Sequence, residues 1–188
     1  MTELSKAAAD ELDARMPQLR WRLDPRLDPF IAIGEVERGD RLVGDMFARK
    51  LGGAPPKSGH HLIAFYRRAD GGFAPASYLH LWIHDGMGLV GGGSTDGHVI
   101  RSMRDEERAA LDAAGGLLYQ MLGFCFAKFE SQCDAFMGHC GDRRAKEVDL
   151  RAGFRETRDK YLLIRPNRPL APGEEAAFVE KAKAFGLF

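Results

Sequence analysis

Hydrophobic residues recur along the chain with two spacings, and each spacing predicts a different secondary structure. Intervals of three or four residues predict helices over 3–16, 38–52, 115–130, 143–152 and 174–185. Short apolar or alternating runs predict strands over 19–23, 61–68, 76–84, 98–103, 133–139 and 154–164. Strands interleaved with helices are typical of α/β folds. We therefore expect one α/β domain with a mixed sheet and helices on both faces.

The best-marked boundaries lie between residues 133 and 165. Asp142 is a typical N-cap for the helix over 143–152, and Gly153 is a typical residue at which such a helix ends. A buried strand precedes this helix and an extended run follows it. The stretch therefore predicts a strand, a crossover helix and a second strand.

A β-hairpin is predicted upstream, where an Asp-Gly pair at 70–71 separates the strands over 61–68 and 76–84. Four side chains share one face of the second strand: Tyr78, His80, Trp82 and His84. Histidines four residues apart on a strand are separated by about 13 Å, which is too far to hold one metal ion, and no metal site is predicted. Each histidine is either a general base or a hydrogen-bonded strand residue.

Glycine is concentrated at two places, 91–97 and 115–116. The first run, GGGSTDG, lacks the lysine and the spacing of a P-loop. It is either a tight connection between strands or a main-chain cradle for phosphate. Two glycines inside a helix cost about 1 kcal/mol each relative to alanine. The apolar run that ends near residue 130 is therefore expected to be an ordered helix from about residue 115.

Composition narrows the function classes. The chain has 188 residues, enough for one domain, and 27 basic residues balance 27 acidic ones. A net charge of zero gives no general attraction to nucleic acid or to an anionic membrane, so neither is predicted as a partner. Three cysteines, with no secretory signal at the start and no long apolar span, predict reduced thiols in the cytoplasm. His139 and Cys140 point to opposite faces if they lie on one strand, so they are interpreted as packing residues rather than as a nucleophilic pair.

The segment DRRAKEVDLRAGF at 142–154 resembles the C-terminal part of the GCN5-related N-acetyltransferases (GNATs), whose loose pattern is Asn-x-x-Ala-x-x-x-Tyr-x-x-x-Gly-Phe. Ala145, Gly153 and Phe154 match that pattern in register. The predicted elements over roughly 60–165 also follow the order found in this family. The resemblance implies a single GNAT-like domain over 1–188, with a helical N-terminal part (1–58), a core (60–165) and a C-terminal extension (166–188).

The resemblance also implies a function, the transfer of an acetyl or other acyl group from a CoA thioester to an amine of a small molecule or a protein. Acetyl-CoA or another acyl-CoA is the implied cofactor, and a homodimer is compatible with this class. His84 or His98 is expected to be the general base. The arginines at 101, 104, 108, 143 and 144 either hold the cofactor phosphates or are solvated surface charges. The residues expected to hold the cofactor are Met103, Arg104, Arg108, Ala113, Gly115, Gly116 and Asp142.

Three positions depart from the family pattern. Leu111 occupies the position of the glycine that lets the main chain approach the cofactor pyrophosphate. Asp142 replaces the Asn. Asp149 replaces the Tyr that protonates the departing thiolate in many members, and an ionised Asp cannot donate a proton. These departures favour an alternative, a non-catalytic binding module of the same fold. A third hypothesis is a different α/β enzyme that binds an anion at 91–97.

Overall fold

The structure is a computed structural model that describes residues 21–188. Seven strands form one sheet in the order β1-β2-β3-β4-β5-β7-β6. The strands are β1 (Ile31–Glu35), β2 (His60–Arg67), β3 (Phe73–His84), β4 (Met87–Thr95), β5 (Ala135–His139), β6 (Arg155–Glu156) and β7 (Leu162–Pro166). Six α-helices lie within the described residues: α1 (Gly39–Leu51), α2 (Gly97–Ser102), α3 (Asp105–Ala113), α4 (Leu117–Phe129), α5 (Arg143–Arg151) and α6 (Glu174–Phe185).

Helices cover both faces of the sheet, as the hydrophobic pattern predicts. On one face α4 buries an apolar stripe, including Met121 and Phe126, against strand residues such as Leu81 and Phe136. On the other face α1 packs on Ile63 and Tyr78, and α6 packs on the first half of β4 and on β5 and β7. Burial of these two layers is the main favourable contribution to the stability of the fold.

The sheet divides at β4 and β5, which form its only parallel strand pair within residues 21–188. β4 and β5 pair from Met87↔Ala135 to Val90↔Gly138, and then the pairing stops. β4 continues to Thr95 along β3, whereas β5 ends at His139. Within the described residues, the outer edge of 91–95 therefore has no strand partner, and the sheet opens there.

A β-bulge lies at the point where the two strands separate. Tyr78 pairs with Ser94 and His80 pairs with Gly91, so β4 carries one more residue than β3 between these pairs. Gly92 has a φ of +61°, a conformation that glycine adopts without steric cost. Because a bulge bends and twists its strand, this extra residue turns β4 away from β5.

Most predicted elements are confirmed. The helix over 38–52, the helix over 143–152 and the C-terminal helix over 174–185 are present within one or two residues. The hairpin of 61–68 with 76–84 is also present, but its second strand starts three residues earlier, at Phe73. The strand over 133–139 starts two residues later than predicted, at Ala135. The Asp142 side chain accepts a hydrogen bond from the Arg144 amide at 3.1 Å, as expected of an N-cap.

Three predicted elements are wrong, each because local signals were ambiguous. The predicted strand over 98–103 is the helix α2, whose N-cap Asp96 accepts from the His98 amide. Most of the glycine-rich run at 91–97 is strand rather than a turn. The extended run over 154–164 is interrupted, so that its parts form the antiparallel pair β6 and β7.

The remaining predictions concern the helix over 115–130 and the elements predicted before residue 24. The helix expected from about 115 starts at Leu117, and a separate helix, α3, precedes it. The predicted helix over 3–16 and the first residues of the strand over 19–23 lie outside the described residues, and residues 21–23 belong to no strand. Within the described part of the chain, no single helix is long and apolar enough to cross a membrane. The helices α3 and α4 reach that length and composition only together, and they are bent by 50° at their junction.

Two glycine substitutions test the helix boundaries. Gly153 follows α5 with a φ of +101°, and a Cβ there would meet no atom closer than 3.5 Å. We therefore expect Gly153→Ala to cost roughly 1–3 kcal/mol of unfolding free energy through backbone strain alone. Gly44 lies inside α1 with no atom within 4 Å of a Cβ, so Gly44→Ala should stabilise by roughly 0.5–1 kcal/mol. Denaturant unfolding of both variants checks the pair, and equal effects would contradict the assigned backbone conformations.

Candidate functional site

The opening between β4 and β5 is a cleft that reaches from the α4–α5 face of the sheet to the α1 face. Its inner section is narrow, about 70 Å³, and lies against Leu118 of α4 and Asp149 of α5. Its outer section is larger, about 610 Å³, and lies under α1 and the loop that follows it. The two sections share five lining residues: Gly92, Gly93, His139, Cys140 and Ala145. Because β4 carries only glycine at 91–93, main chain rather than side chain borders the cleft.

Asp149 is the carboxyl group of the inner section. It lies on the same face of α5 as Ala145 and Ala152, both of which pack against the core. Burial raises the pKa of Asp149 to about 6, and its contact with the Cys140 thiol opposes that rise. Asp149 is therefore half protonated at about pH 6 and mostly ionised at pH 7. It exchanges its proton much closer to neutral pH than a carboxyl in water does.

Cys140 is a poor nucleophile in this position. Its Sγ atom contacts the main-chain oxygen of Asp142 at 3.2 Å. Burial, together with the negative charge of Asp149, raises the pKa of the thiol to about 11. The thiolate is the reactive form of cysteine, so Cys140 is held in its unreactive form. Cys125 and Cys133 are also buried, and neither forms a disulfide bond.

Two imidazoles line the outer section, those of His80 and His139, and His80 is the more deeply buried. Its Nε2 atom lies 2.7 Å from the main-chain oxygen of Ser58. A carbonyl oxygen only accepts, so Nε2 carries the proton and Nδ1 is left with its lone pair. Burial lowers the pKa of His80 below its ordinary 6.5. The ring is thus a neutral base with a fixed tautomer.

The loop between α1 and β2 holds this histidine in place. The Ser58 oxygen also accepts from Trp82 Nε1 at 3.2 Å, so one carbonyl positions two neighbouring rings. The main chain lies so close here that a Cβ on Gly59 would be 2.3 Å from Trp82 Cδ1. The same loop supplies Ala54 and Pro56 to the wall of the outer section.

A second buried histidine lies beside His80. The ring centroids of His61 and His80 are 5.5 Å apart, and His61 Nδ1 lies 2.8 Å from the Tyr78 hydroxyl. His61 Nε2 is buried and has no hydrogen-bond partner among the described residues. Burial lowers the pKa of His61 and raises that of Tyr78. Both side chains are therefore uncharged near neutral pH, and the environment behind His80 has little polarity.

The histidines predicted as bases lie elsewhere. His84 is at the end of β3, half-exposed, with its ring edge against Phe185 and its Nε2 atom 3.5 Å from Asp85. His98 starts α2 and contacts the Arg101 guanidinium at 3.1 Å. Neither residue is among those that line the cleft. The alternation on β3 placed His80 and His84 on the same face, but it could not indicate which of them the opening would reach.

Of the residues predicted to hold a cofactor, Asp142 alone lines the cleft. The Met103 carbonyl accepts from Arg108, and Ala113 accepts from Arg26. Arg104 is bound to Glu106 and to the buried Glu107, and Arg108 is bound to Asp105. Gly115 and Gly116 connect α3 to α4. These contacts make Arg104 and Arg108 part of the N-terminal cap of α3.

The five arginines predicted as a group therefore have separate roles in the structure. Arg101 contacts His98, and Arg143 pairs with Glu147 one turn along α5. Arg151 lies close to the α3–α4 connection, with its guanidinium over the Tyr119 ring at 5.2 Å and next to Gly115. Within residues 21–188 no carboxylate forms an ion pair with Arg151, and no three His, Cys, Asp or Glu side chains gather as a metal site.

Comparison with known proteins adds no assignment to this geometry. No protein-family profile matches the chain, and no curated protein is significantly similar to it.

The raised pKa of Asp149 predicts a specific dependence of stability on pH. The folded state keeps this proton up to about pH 6, whereas the unfolded carboxyl releases it near 3.8. The stability conferred by the neutral carboxyl is therefore present at low pH and is lost as pH rises through about 6. Because asparagine does not ionise, we expect Asp149→Asn to remove this loss. The free energy of unfolding of the variant minus that of the natural chain should therefore increase by roughly 2–3 kcal/mol between pH 4 and pH 7.5.

Urea unfolding at a series of pH values measures this difference. Asp45→Asn, at an exposed position of α1, is the matched control and should follow the natural chain at every pH. A constant difference between Asp149→Asn and the natural chain across the range would show that Asp149 is ionised throughout.

Proposed function

We propose that this protein is an acyltransferase of the GNAT-like fold that moves an acetyl or other acyl group from a CoA thioester to an amine. The observation that carries the proposal is the opening of the sheet beyond Val90 and Gly138, which makes a cleft through the sheet with different chemistry at its two ends. The inner end has a carboxyl that gains and loses its proton near pH 6, and the outer end has a neutral imidazole. An acid and a base at opposite ends of the cleft would assist a transfer between two substrates that meet inside the sheet.

The inner side of the cleft suits an elongated, polar molecule with a negatively charged end. The glycine run of β4 exposes main-chain groups along its unpaired edge, and Leu118 brings the first turn of α4 to the inner section. Amide groups in the first turn of a helix have no acceptor within the helix and attract anions. Arg151 adds a positive charge at the same end of α4. These groups would hold the phosphates and the amide-rich arm of a CoA thioester, which supplies the activated acyl group.

The two titratable groups would act at opposite ends of the reaction. His80 Nδ1 can take a proton from an amine in the outer section, because its other nitrogen is fixed on Ser58. Asp149 can supply a proton to a departing sulfur in the inner section. A carboxyl with a pKa of about 6 is a stronger acid than a thiol near 8.5, so this proton transfer is favourable. Asp149 thus offers the proton that a tyrosine supplies in many GNATs.

One observation favours the alternative of a non-catalytic binding module. Leu111, at the position of the signature glycine, is buried in the core, and Arg104 is committed to the cap of α3. The main-chain turn that the signature forms in the family would therefore be absent here. This alternative predicts binding of a CoA thioester, or of another ligand, without transfer to any amine.

Closing the cleft from α5 tests the cofactor site. Ala145 is partly buried and lines both sections, so Ala145→Phe should fill the passage while α5 stays helical. We expect acetyl-CoA and CoA to bind the natural chain in titration calorimetry, and Ala145→Phe to weaken both at least tenfold. Glu147→Phe, on the exposed side of the same helix, is the control and should bind normally. Absence of binding to the natural chain at millimolar acetyl-CoA would refute the proposal.

Two histidine variants test the base. Glutamine can still donate to the Ser58 oxygen but has no basic nitrogen, so His80→Gln should lower kcat by roughly 10²–10⁴-fold and leave acetyl-CoA affinity unchanged. The natural chain should lose activity as pH falls below the ordinary imidazole value of 6.5, since burial lowers the pKa of His80. His84→Gln, on the same strand, is the control and should keep full activity. The reverse pattern would assign the role to His84.

A further inference from the structure

The wall of the outer section is largely apolar. α1 contributes Phe47 and Leu51, the following loop contributes Ala54 and Pro56, and Trp82 lies next to His80. Leu187 and Phe188 complete the opposite side, where the Phe188 ring meets His139 edge-on at 6.0 Å. At about 610 Å³ the section falls within the range of roughly 300–1,000 Å³ that holds small-molecule ligands.

Large apolar side chains remain exposed around the mouth of this section. Leu51 is 51% exposed, Trp82 38% and Leu187 84%. Isolated exposed apolar residues need no explanation, but several around one concave opening mark a binding surface for an apolar ligand.

The acidic groups of the outer section are few. Asp142 carries the one side-chain carboxylate among the described residues that line it, and that group already caps α5. A ligand with several ammonium groups would lose its hydration here without gaining matched partners. An amine in apolar surroundings is instead shifted towards its neutral form, which is the form that attacks a thioester.

We propose that the acceptor is a small primary amine with one nitrogen and an uncharged apolar body, aromatic or branched aliphatic. Its body would lie between Trp82 and Leu51, and its nitrogen would point to His80. This inference rests on the proposed acyl transfer, since it names the class of amine that the outer section would take. It excludes polyamines and amino sugars as the preferred acceptors.

An amine panel tests the inference directly. With saturating acetyl-CoA, release of free thiol is measured for 2-phenylethylamine, 3-methylbutylamine, ethanolamine, spermidine and a short lysine peptide. We expect kcat/KM for the two apolar amines to exceed that for ethanolamine and spermidine at least tenfold. Equal or faster transfer to ethanolamine, to spermidine or to the lysine peptide overturns the inference and leaves the proposed function intact.

Two leucines of α1 give a matched pair of variants. Leu51 and Leu42 are both 51% exposed, but only Leu51 lines the section. We expect Leu51→Ser to lower kcat/KM for 2-phenylethylamine at least fivefold and to change that for ethanolamine less than twofold. Leu42→Ser should change neither value. Equal losses for both amines in Leu51→Ser would indicate damage to the fold rather than loss of an apolar contact, and would overturn the assignment of the wall.

Binding without turnover separates this inference from the proposed function. Calorimetry of the full chain with 2-phenylethylamine and with ethanolamine, without thioester, measures amine affinity alone. Tighter binding of 2-phenylethylamine that Leu51→Ser weakens supports the inference even if no acyl transfer occurs. Binding of the two amines with the same affinity overturns it, whatever the outcome of the acetyl-CoA titration.

Discussion

The rest of the structure depends on the position at which β4 and β5 stop pairing. Up to Val90 and Gly138 the two strands form one continuous sheet, and beyond that point β4 follows β3 alone. The extra residue at Gly92 bends β4 at this place, and the absence of a side chain at Gly91 lets the main chain of Phe188 lie directly against the strand. A sheet that separates while both of its faces stay covered by helices necessarily contains a cleft between them.

The polar groups of the cleft derive their chemistry from this arrangement. Aspartate is usually exposed, but Asp149 lies on the buried side of α5. Burial raises the pKa of its carboxyl, which therefore keeps its proton up to about pH 6. His80 lies under a loop whose Ser58 carbonyl selects the tautomer of its ring. Both pKa shifts have the same cause, since burial disfavours the charged form of each side chain and neither side chain gains an opposite charge. The proposed acid and base are therefore consequences of packing, and neither depends on an unusual neighbour.

Much of the fold could be predicted from local patterns. The helix α5 was defined by Asp142 and Gly153, whose effects act within one turn. The hairpin of β2 and β3 followed from alternation and an Asp-Gly turn. Prediction failed at 98–103, where a short apolar run suits a helix as well as a strand. It failed at 91–97 too, because glycine is usually read as a break, whereas here the absence of side chains lets β4 pack closely against its neighbours.

The sequence by itself determined the fold class, the two-sided covering of the sheet and most element boundaries, because hydrophobic period and capping are properties of neighbouring residues. The tertiary structure alone decided which polar residues share a cleft. Asp149, His80 and Ser58 are far apart in the chain, and their pKa values and tautomers depend on burial that no local pattern records. The tertiary structure also places Arg104 and Arg108 outside the cleft, where they form ion pairs with acidic residues of α3. The opening between β4 and β5 exists only once the pairing of distant strands is fixed.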